Sequence, residues 1–135
     1  MAANRPTKQD LVEAVREFLE KRIQPVLEGE SAFHTRIAVN ILKIIERELE
    51  HGPGLDAEEH ERLRRLLERD AGLAELNSEL CQRIRSGAID IADEDLVRHL
   101  RQTTLGKLSI DNPEYSGYRR ALEEAGRGGG KGTRP

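Results

Sequence analysis

The chain has 135 residues, which is enough for one domain whose hydrophobic core needs no disulfide or metal to hold it together. Aromatic residues make up only 3% of the sequence, so the core must be aliphatic, and this composition favours helices over a β-sandwich or barrel. The 22 basic and 25 acidic residues leave a net charge of -3, which argues against a chain that binds nucleic acid or an anionic membrane along its whole length.

The cysteine content and the N-terminal sequence bear on the cellular compartment. The single cysteine, Cys81, excludes an internal disulfide and a CxxC metal or redox site, and its place on an apolar stripe predicts a small buried hydrophobic side chain. The N-terminal MAANRPTKQD lacks the apolar stretch of a signal peptide, and no run approaches the ~20 apolar residues of a membrane span. We therefore expect a cytoplasmic protein.

Every long segment shows helical periodicity, and Gly or Pro residues separate the segments. A capping-box pair, Thr7 and Asp10, predicts a first helix over about 8–24, which Pro25 ends. The further predicted helices cover 33–51, 58–70, 73–85 and 94–110, and a short one covers 118–125. The sequence thus predicts an all-α fold: a single antiparallel bundle of about five helices over 6–118, then a short helix and a flexible Gly-rich tail over 119–135.

The helix over 33–51 is predicted to be the central strut of this bundle. Its apolar arc spans about half of the circumference and contains Phe33, Ile37, Ala38, Ile41, Leu42, Ile44, Ile45 and Leu49. If Ile41 and Ile45 lie in the core, their truncation to alanine should cost roughly 2 to 5 kcal/mol. Gly52-Pro53-Gly54 is expected to end the helix, and the next helix, with few apolar residues, is expected to lie outside.

Polar residues interrupt the apolar arcs of four predicted helices, and these interruptions are Arg22, His34, Glu48, Asn77 and Lys107. One interpretation is structural: a long side chain reaches past the apolar surface to solvent, or an amide or imidazole makes a satisfied hydrogen bond in the core. The other is functional, with several of these groups meeting in one polar pocket or contact surface. Helix projection alone does not decide between them.

No catalytic or nucleotide-binding motif is present in the sequence. The four histidines have no metal-ligand spacing, and the GxxxxGK[ST], GxGxxG, GxSxG and HExxH patterns are absent. The GRGGGKG segment near the C-terminus lacks the preceding strand and following helix of a phosphate loop, so we interpret it as a linker. The sequence therefore predicts no metal and no cofactor of its own.

Three segments carry a resemblance to a known family: FHTRIAVNILKIIEREL, LNSELCQRIRSG and LVRHLRQTTLGKLSIDNPEY. They resemble a family of small helical bacterial proteins that accompany an aminoglycoside-phosphotransferase-like kinase and an acyl-CoA dehydrogenase. The chain is similar to the small companion subunit of the levulinate-pathway hydroxyacyl-CoA kinase. The likeness runs from about Pro6 to Tyr118 and leaves the Gly-rich tail outside.

This resemblance implies a companion subunit that is needed for a partner's activity without being catalytic itself. The kinase-like partner would hold ATP and magnesium and phosphorylate the hydroxyl of a hydroxyacyl-CoA, whose acyl-CoA part could reach the shared interface. The candidate contact residues for partner or ligand are His34, Arg36, Asn40, Asn77, Arg83, Arg85, Lys107, Asp111 and Asn112. The alternative is a small stand-alone enzyme or ligand-binding bundle with a polar pocket around His34, Asn77 and Lys107.

Overall fold

The computed structural model describes residues 4–128, and all of their regular structure is helical. The five α-helices are α1 (Lys8–Phe18), α2 (Gly29–Leu67), α3 (Leu73–Ser86), α4 (Glu94–Asp111) and α5 (Ser116–Gly128). This confirms the predicted all-α class and number of helices. Residues 129–135 of the predicted flexible tail lie outside the described residues. None of the described helices has the length and apolar content that crossing a membrane requires.

The start of α1 is the predicted capping box. The Thr7 hydroxyl accepts a hydrogen bond from the Asp10 backbone N–H at 3.1 Å, and the Asp10 carboxylate accepts one from the Thr7 N–H at 2.9 Å. These two bonds to Thr7 lower the pKa of Asp10. Beyond Phe18 the helix widens into a π-helical turn, Leu19–Ile23, and a 3₁₀ turn, Gln24–Val26, contains Pro25, which has no N–H to continue the α-helical ladder.

The two helices predicted over 33–51 and 58–70 are a single helix. The helix α2 has 39 residues and passes through Gly52-Pro53-Gly54 without a break. Pro53 has no N–H and so removes one of the many backbone hydrogen bonds of α2. Because its fixed φ is compatible with helical geometry, the helical segments on both sides of it stay continuous. The number of helices still agrees with the prediction, because two predicted helices form the single helix α2 and α5, expected only as a short extra element, is the fifth helix.

By compactness the chain divides into two units, Met1–Gly54 and Leu55–Pro135, which we describe separately. In the first unit, two ion pairs join α1 and its π-helical extension to α2. Arg16 Nε lies 2.6 Å from Glu46 Oε2, and Lys43 Nζ lies 2.9 Å from Glu20 Oε2. Val39, four residues before Lys43, is the one buried large hydrophobic residue among the described residues of this unit. The limits of the predicted single domain, 6–118, stay a prediction.

The second unit contains a leucine core. Its five buried members are Leu63, Leu67, Leu76, Leu80 and Leu96. They come from α2, α3 and α4, and flanking apolar side chains such as Leu66 and Ile84 pack against them. The prediction that the segment over 58–70 lies outside was therefore wrong, because its few leucines recur at the spacing that one buried helical face requires.

The predicted core role of Ile41 and Ile45 was also wrong. Their exposed fractions are 52% and 38%, whereas Leu63 is fully buried. Cys81, expected to be buried, is exposed as well. Helical periodicity identifies apolar faces but does not say which of two apolar faces another element covers, and this is the reason for these errors.

The difference in burial along α2 gives a stability prediction. We expect Leu63→Ala to lower the free energy of unfolding by about 2 to 5 kcal/mol, because it leaves a cavity in the leucine core. Ile41→Ala, a comparable truncation on the same helix, should cost less than about 1 kcal/mol, because about half of the side chain is already in water. Urea denaturation of the two variants measures both values. Equal losses would contradict this description of the core.

Candidate functional site

Three of the predicted contact residues belong to the part of α2 in the first unit. His34, Arg36 and Asn40 are all exposed. The His34 Nε2 atom lies 3.8 Å from a carboxylate oxygen of Glu30, and its ring centroid is 5.7 Å from that of Phe33. These residues are accessible to a partner, and His34 has the weak local contacts that are ordinary on a helix surface.

Asn77 and Arg83, both on α3, make contacts that hold the second unit together. The Asn77 amide donates to Glu59 Oε1 at 3.3 Å, which links α3 to α2. Arg83 Nη2 lies within hydrogen-bond distance of the Leu67 carbonyl, in the last turn of α2, and of Glu79 Oε1, both at 3.3 Å. Both side chains are half-buried. Their described contacts are therefore structural, and a functional role for them stays a prediction.

The remaining candidates are exposed residues of the second unit. Arg85 lies in the last turn of α3, Lys107 lies on α4, and Asp111 is the last residue of α4. Asn112 is the C-cap of α4, and its backbone N–H donates to the Leu108 carbonyl at 2.9 Å. Asn77 and Lys107 thus belong to the second unit, whereas His34 belongs to the first.

Large apolar side chains on α2 face solvent in the first unit. Phe33, Ile37, Ile41 and Ile45 recur every four residues and form one row, here named the α2 stripe. Their exposed fractions lie between 38% and 54%. The side of α2 that carries Lys43 and Glu46 already pairs with α1 and its π-helical extension. The helix thus carries a second apolar face, whose large side chains are about half exposed.

The helix α1 presents a comparable apolar row. Leu11, Val15 and Phe18, spaced four and three residues apart, are each more than half exposed. Scattered exposed hydrophobic residues are normal on a protein surface, but rows at helical spacing on two paired helices are typical of a surface that another protein covers. Covering the exposed halves of the four α2 stripe side chains would contribute roughly 3 to 6 kcal/mol.

The second unit contains an open cleft of about 720 Å³ between α2 and α4. Six charged residues line it: Glu58, Glu61, Arg62, Arg65, Asp95 and Arg98. Two of the arginines are paired with acids of the lining, Arg65 with Glu61 at 3.3 Å and Arg98 with Asp95 at 3.2 Å. Among the described residues, no group of three or more His, Cys, Asp or Glu side chains is arranged to hold a metal ion.

The third arginine that lines the cleft, Arg62, is hydrogen-bonded to neutral side chains. Its Nε donates to Nδ1 of His99 at 3.2 Å, and its Nη2 donates to Oγ1 of Thr103 at 3.1 Å. His99 is only 4% exposed and also lines the cleft. Because Nδ1 accepts the bond from Arg62, a neutral His99 carries its proton on Nε2. Burial, and then the positive charge of Arg62, lower the pKa of His99 below its ordinary value of 6.5, while the Glu59 carboxylate acts in the opposite direction.

Neither Arg62 nor His99 nor Thr103 was among the residues predicted to be functional. The sequence predicted only that His99 has no metal-ligand spacing, although His99 follows the inward-facing Leu96 by three residues and so lies on the same side of α4. That register was a usable signal for a buried histidine. No local pattern indicates that the side chain of Arg62, on another helix 37 residues away, reaches this histidine.

Comparison with known families gives one match, which covers most of the chain. A family model described as a domain of unknown function, DUF6285, matches residues 25–115. This chain belongs to the DUF6285 family. No curated protein and no solved structure matches it. The DUF6285 segment contains the α2 stripe and the Arg62, His99 and Thr103 cluster, while α1 and α5 lie outside it.

The buried state of His99 predicts a pH dependence of stability. A histidine whose pKa is lower in the folded than in the unfolded protein binds a proton more readily after unfolding. The contribution of neutral His99 to the free energy of unfolding is therefore undiminished above the pKa of the unfolded state, near 6.5. It is lost as the pH falls towards the lower pKa of the folded state. We expect the free energy of unfolding, measured with urea at pH 7.5, 6.5 and 5.0, to fall more steeply in the wild type than in His99→Gln.

His51→Gln is the matched control for that measurement, because His51 is an exposed histidine. Its pH dependence should follow that of the wild type. The same slope in His99→Gln and the wild type would show that His99 does not titrate differently on unfolding.

Proposed function

We propose that this DUF6285 protein is a non-catalytic companion subunit of an aminoglycoside-phosphotransferase-like kinase that acts on a hydroxyacyl-CoA in the catabolism of acyl or hydroxy acids. The kinase-like partner holds ATP and magnesium and performs the phosphoryl transfer in the cytoplasm. The small chain binds this partner, stabilises it and completes the surface at which the acyl-CoA is bound. The resemblance carried by FHTRIAVNILKIIEREL and the two later segments supports this identification of the partner.

The observation that carries the proposal is the α2 stripe. A protein that acts through association needs a surface whose burial drives binding, and Ile37 and Ile41 lie at the centre of such a row on a helix already paired on its other side. The first segment of the resemblance begins at Phe33 and contains the whole row. The first of the three segments that carry the resemblance thus includes an apolar row whose side chains are about half exposed.

Polar candidates flank this row. Arg36 and Asn40 each precede a member of the α2 stripe, and one residue corresponds to a rotation of about 100°, so both lie along one edge of the row. An apolar centre with a polar, solvent-accessible rim is the usual composition of a protein interface. In the proposed complex, Arg36 makes charge-assisted hydrogen bonds to a carboxylate of the partner or to a phosphate of the acyl-CoA.

The alternative, a stand-alone enzyme or ligand-binding bundle around His34, Asn77 and Lys107, has less support. His34 and Lys107 are exposed, and the Asn77 amide is engaged with Glu59. A pocket of catalytic groups would be expected to enclose at least one side chain in an environment that changes its chemistry. Among the described residues of the second unit, the buried titratable group is instead His99.

The double variant Ile37→Ser, Ile41→Ser tests the proposal. Calorimetric titration against the kinase-like protein encoded beside this chain should show binding weakened by at least tenfold, which corresponds to about 1.4 kcal/mol. The thermal melting temperature should stay within a few degrees of the wild type, because both side chains are already partly in water. Arg36→Ala and Asn40→Ala should likewise lower binding or the partner's phosphorylation of hydroxyacyl-CoA without unfolding the chain.

Ile91→Ser is the matched control, since Ile91 is a highly exposed isoleucine in the loop before α4. It should bind the partner as the wild type does. The proposal fails if the wild-type chain neither binds the kinase-like protein nor changes its activity at micromolar concentration. Sedimentation of the chain alone, with and without the double change, shows whether a second copy covers the α2 stripe instead.

A further inference from the structure

Arg62 lies in the cleft of the second unit as a charged group whose described partners are neutral. It is half-buried, and its guanidinium is held by the His99 imidazole and the Thr103 hydroxyl. A guanidinium stays protonated at every pH at which a protein is ordinarily folded. Arg62 is therefore a partly desolvated positive charge, and an anion placed opposite it would compensate for the lost hydration.

The hydrogen bonds of Arg62 leave part of its donor set available. A guanidinium has five N–H donors, of which His99 takes the one on Nε and Thr103 takes one on Nη2. Three donors remain, two on Nη1 and one on Nη2, and together they form the end of the guanidinium fork. That end matches two oxygens of a carboxylate or a phosphate.

The acidic side chains that line the cleft leave the remaining N–H donors of Arg62 available to a ligand. Two carboxylates, those of Glu61 and Asp95, lie within ion-pair distance of Arg65 and Arg98. Glu58, exposed and four residues before Arg62, also lines the cleft. It lies one helical turn away from Arg62, so among the lining residues it is the carboxylate that would compete with an added anion.

We infer that the cleft binds a small organic anion, with Arg62 as the residue that contacts its carboxylate or phosphate. His99 and Thr103 are positioning residues that fix the direction of the guanidinium, and Leu66 and Ala57 supply apolar wall beside it. A volume of about 720 Å³ accommodates a metabolite with an aliphatic part as well as the anionic group. The inference does not depend on the proposed kinase partner, because the residues that carry it are distinct from the α2 stripe.

The state of His99 is consistent with this arrangement. Its Nδ1 atom accepts from Arg62 only while the ring is neutral, and burial favours the neutral ring. The charged groups that act on it are Arg62 and Glu59. An anion bound at Arg62 lies close enough to change the magnetic environment of the imidazole, so the His99 ring is an intrinsic reporter of binding.

The experiment titrates the full chain with n-butyrate and with n-butyl phosphate and follows the imidazole resonances of His99 by NMR, with n-butanol as the neutral probe. We expect saturable shifts with at least one anion, with a dissociation constant in the millimolar range or tighter, and none with butanol. The anion that binds more tightly identifies the head group. Arg62→Ala should weaken binding at least tenfold, and Glu58→Gln should tighten it because it removes the competing carboxylate.

Arg101→Ala is the control for loss of a positive charge, because Arg101 lies on α4, is exposed and is paired with Glu124. It should bind as the wild type does. Arg62→Lys keeps the charge without the guanidinium fork, and Thr103→Val removes one of the hydrogen bonds that fix the guanidinium. Each should weaken binding severalfold, so these two variants provide the test if Arg62→Ala does not fold. Absence of a saturable shift in the wild type, equal shifts with butanol, or unchanged binding in the Arg62 variants would overturn the inference.

Discussion

The packing of Leu63 and Leu67 of α2 against the leucines of α3 and α4 is the contact on which the second unit depends. These side chains are removed from water almost completely, and each contributes roughly 1.5 to 3 kcal/mol by burial alone. Helices α2 and α4 also approach each other closely at Gly106 of α4, because a Cβ added there would lie only 3.3 Å from the side chain of Leu55 on α2. This core places Arg62, one residue before Leu63, where its guanidinium reaches His99 and Thr103 of α4.

The first unit has no comparable core among its described residues. Val39 is buried, and the ion pair between Arg16 and Glu46 joins the two helices where both side chains are 17% exposed. Such pairs contribute little net stability, because the loss of hydration offsets much of the attraction. The apolar surface of this unit instead faces outward in the α2 stripe and on α1. Burial is therefore uneven: the second unit has the leucine core and the charged cleft, whereas the large apolar side chains of the α2 stripe and of α1 in the first unit are about half exposed.

Local chemistry controls the ends of several helices, and the capping pair at the start of α1 was predicted from it. Thr7 and Asp10 start α1, Asp93 caps α4 by accepting from the Leu96 N–H at 2.9 Å, and Gly87 ends α3 with a φ of +77°. Each of these signals lies within a few residues of the feature that it controls. The all-α class followed in the same way from periodicity and composition.

The features that were missed depend on contacts between distant segments. The break expected at Pro53 did not occur because the loss of one hydrogen bond is small against a continuous 39-residue ladder. The arc containing Ile41 was assigned to the core, since a helix with two apolar faces gives no sequence signal for the face that its neighbours cover. The bond from Arg62 to His99 required knowledge of which helices are adjacent. Of the candidate site, the sequence therefore supplied the residues of the α2 stripe but neither their exposure nor the cleft.

Hydrogen–deuterium exchange of the chain, alone and with the proposed kinase-like partner, tests the central claim that the α2 stripe is an association surface. Alone, backbone amides of α1 and the first half of α2 should exchange faster than those of the leucine core, because few buried contacts oppose their opening. With the partner present, protection should increase over residues 33–45 and in α1, while the amides of α3 should change little. An increase confined to the second unit, or none at saturating partner, would contradict the account.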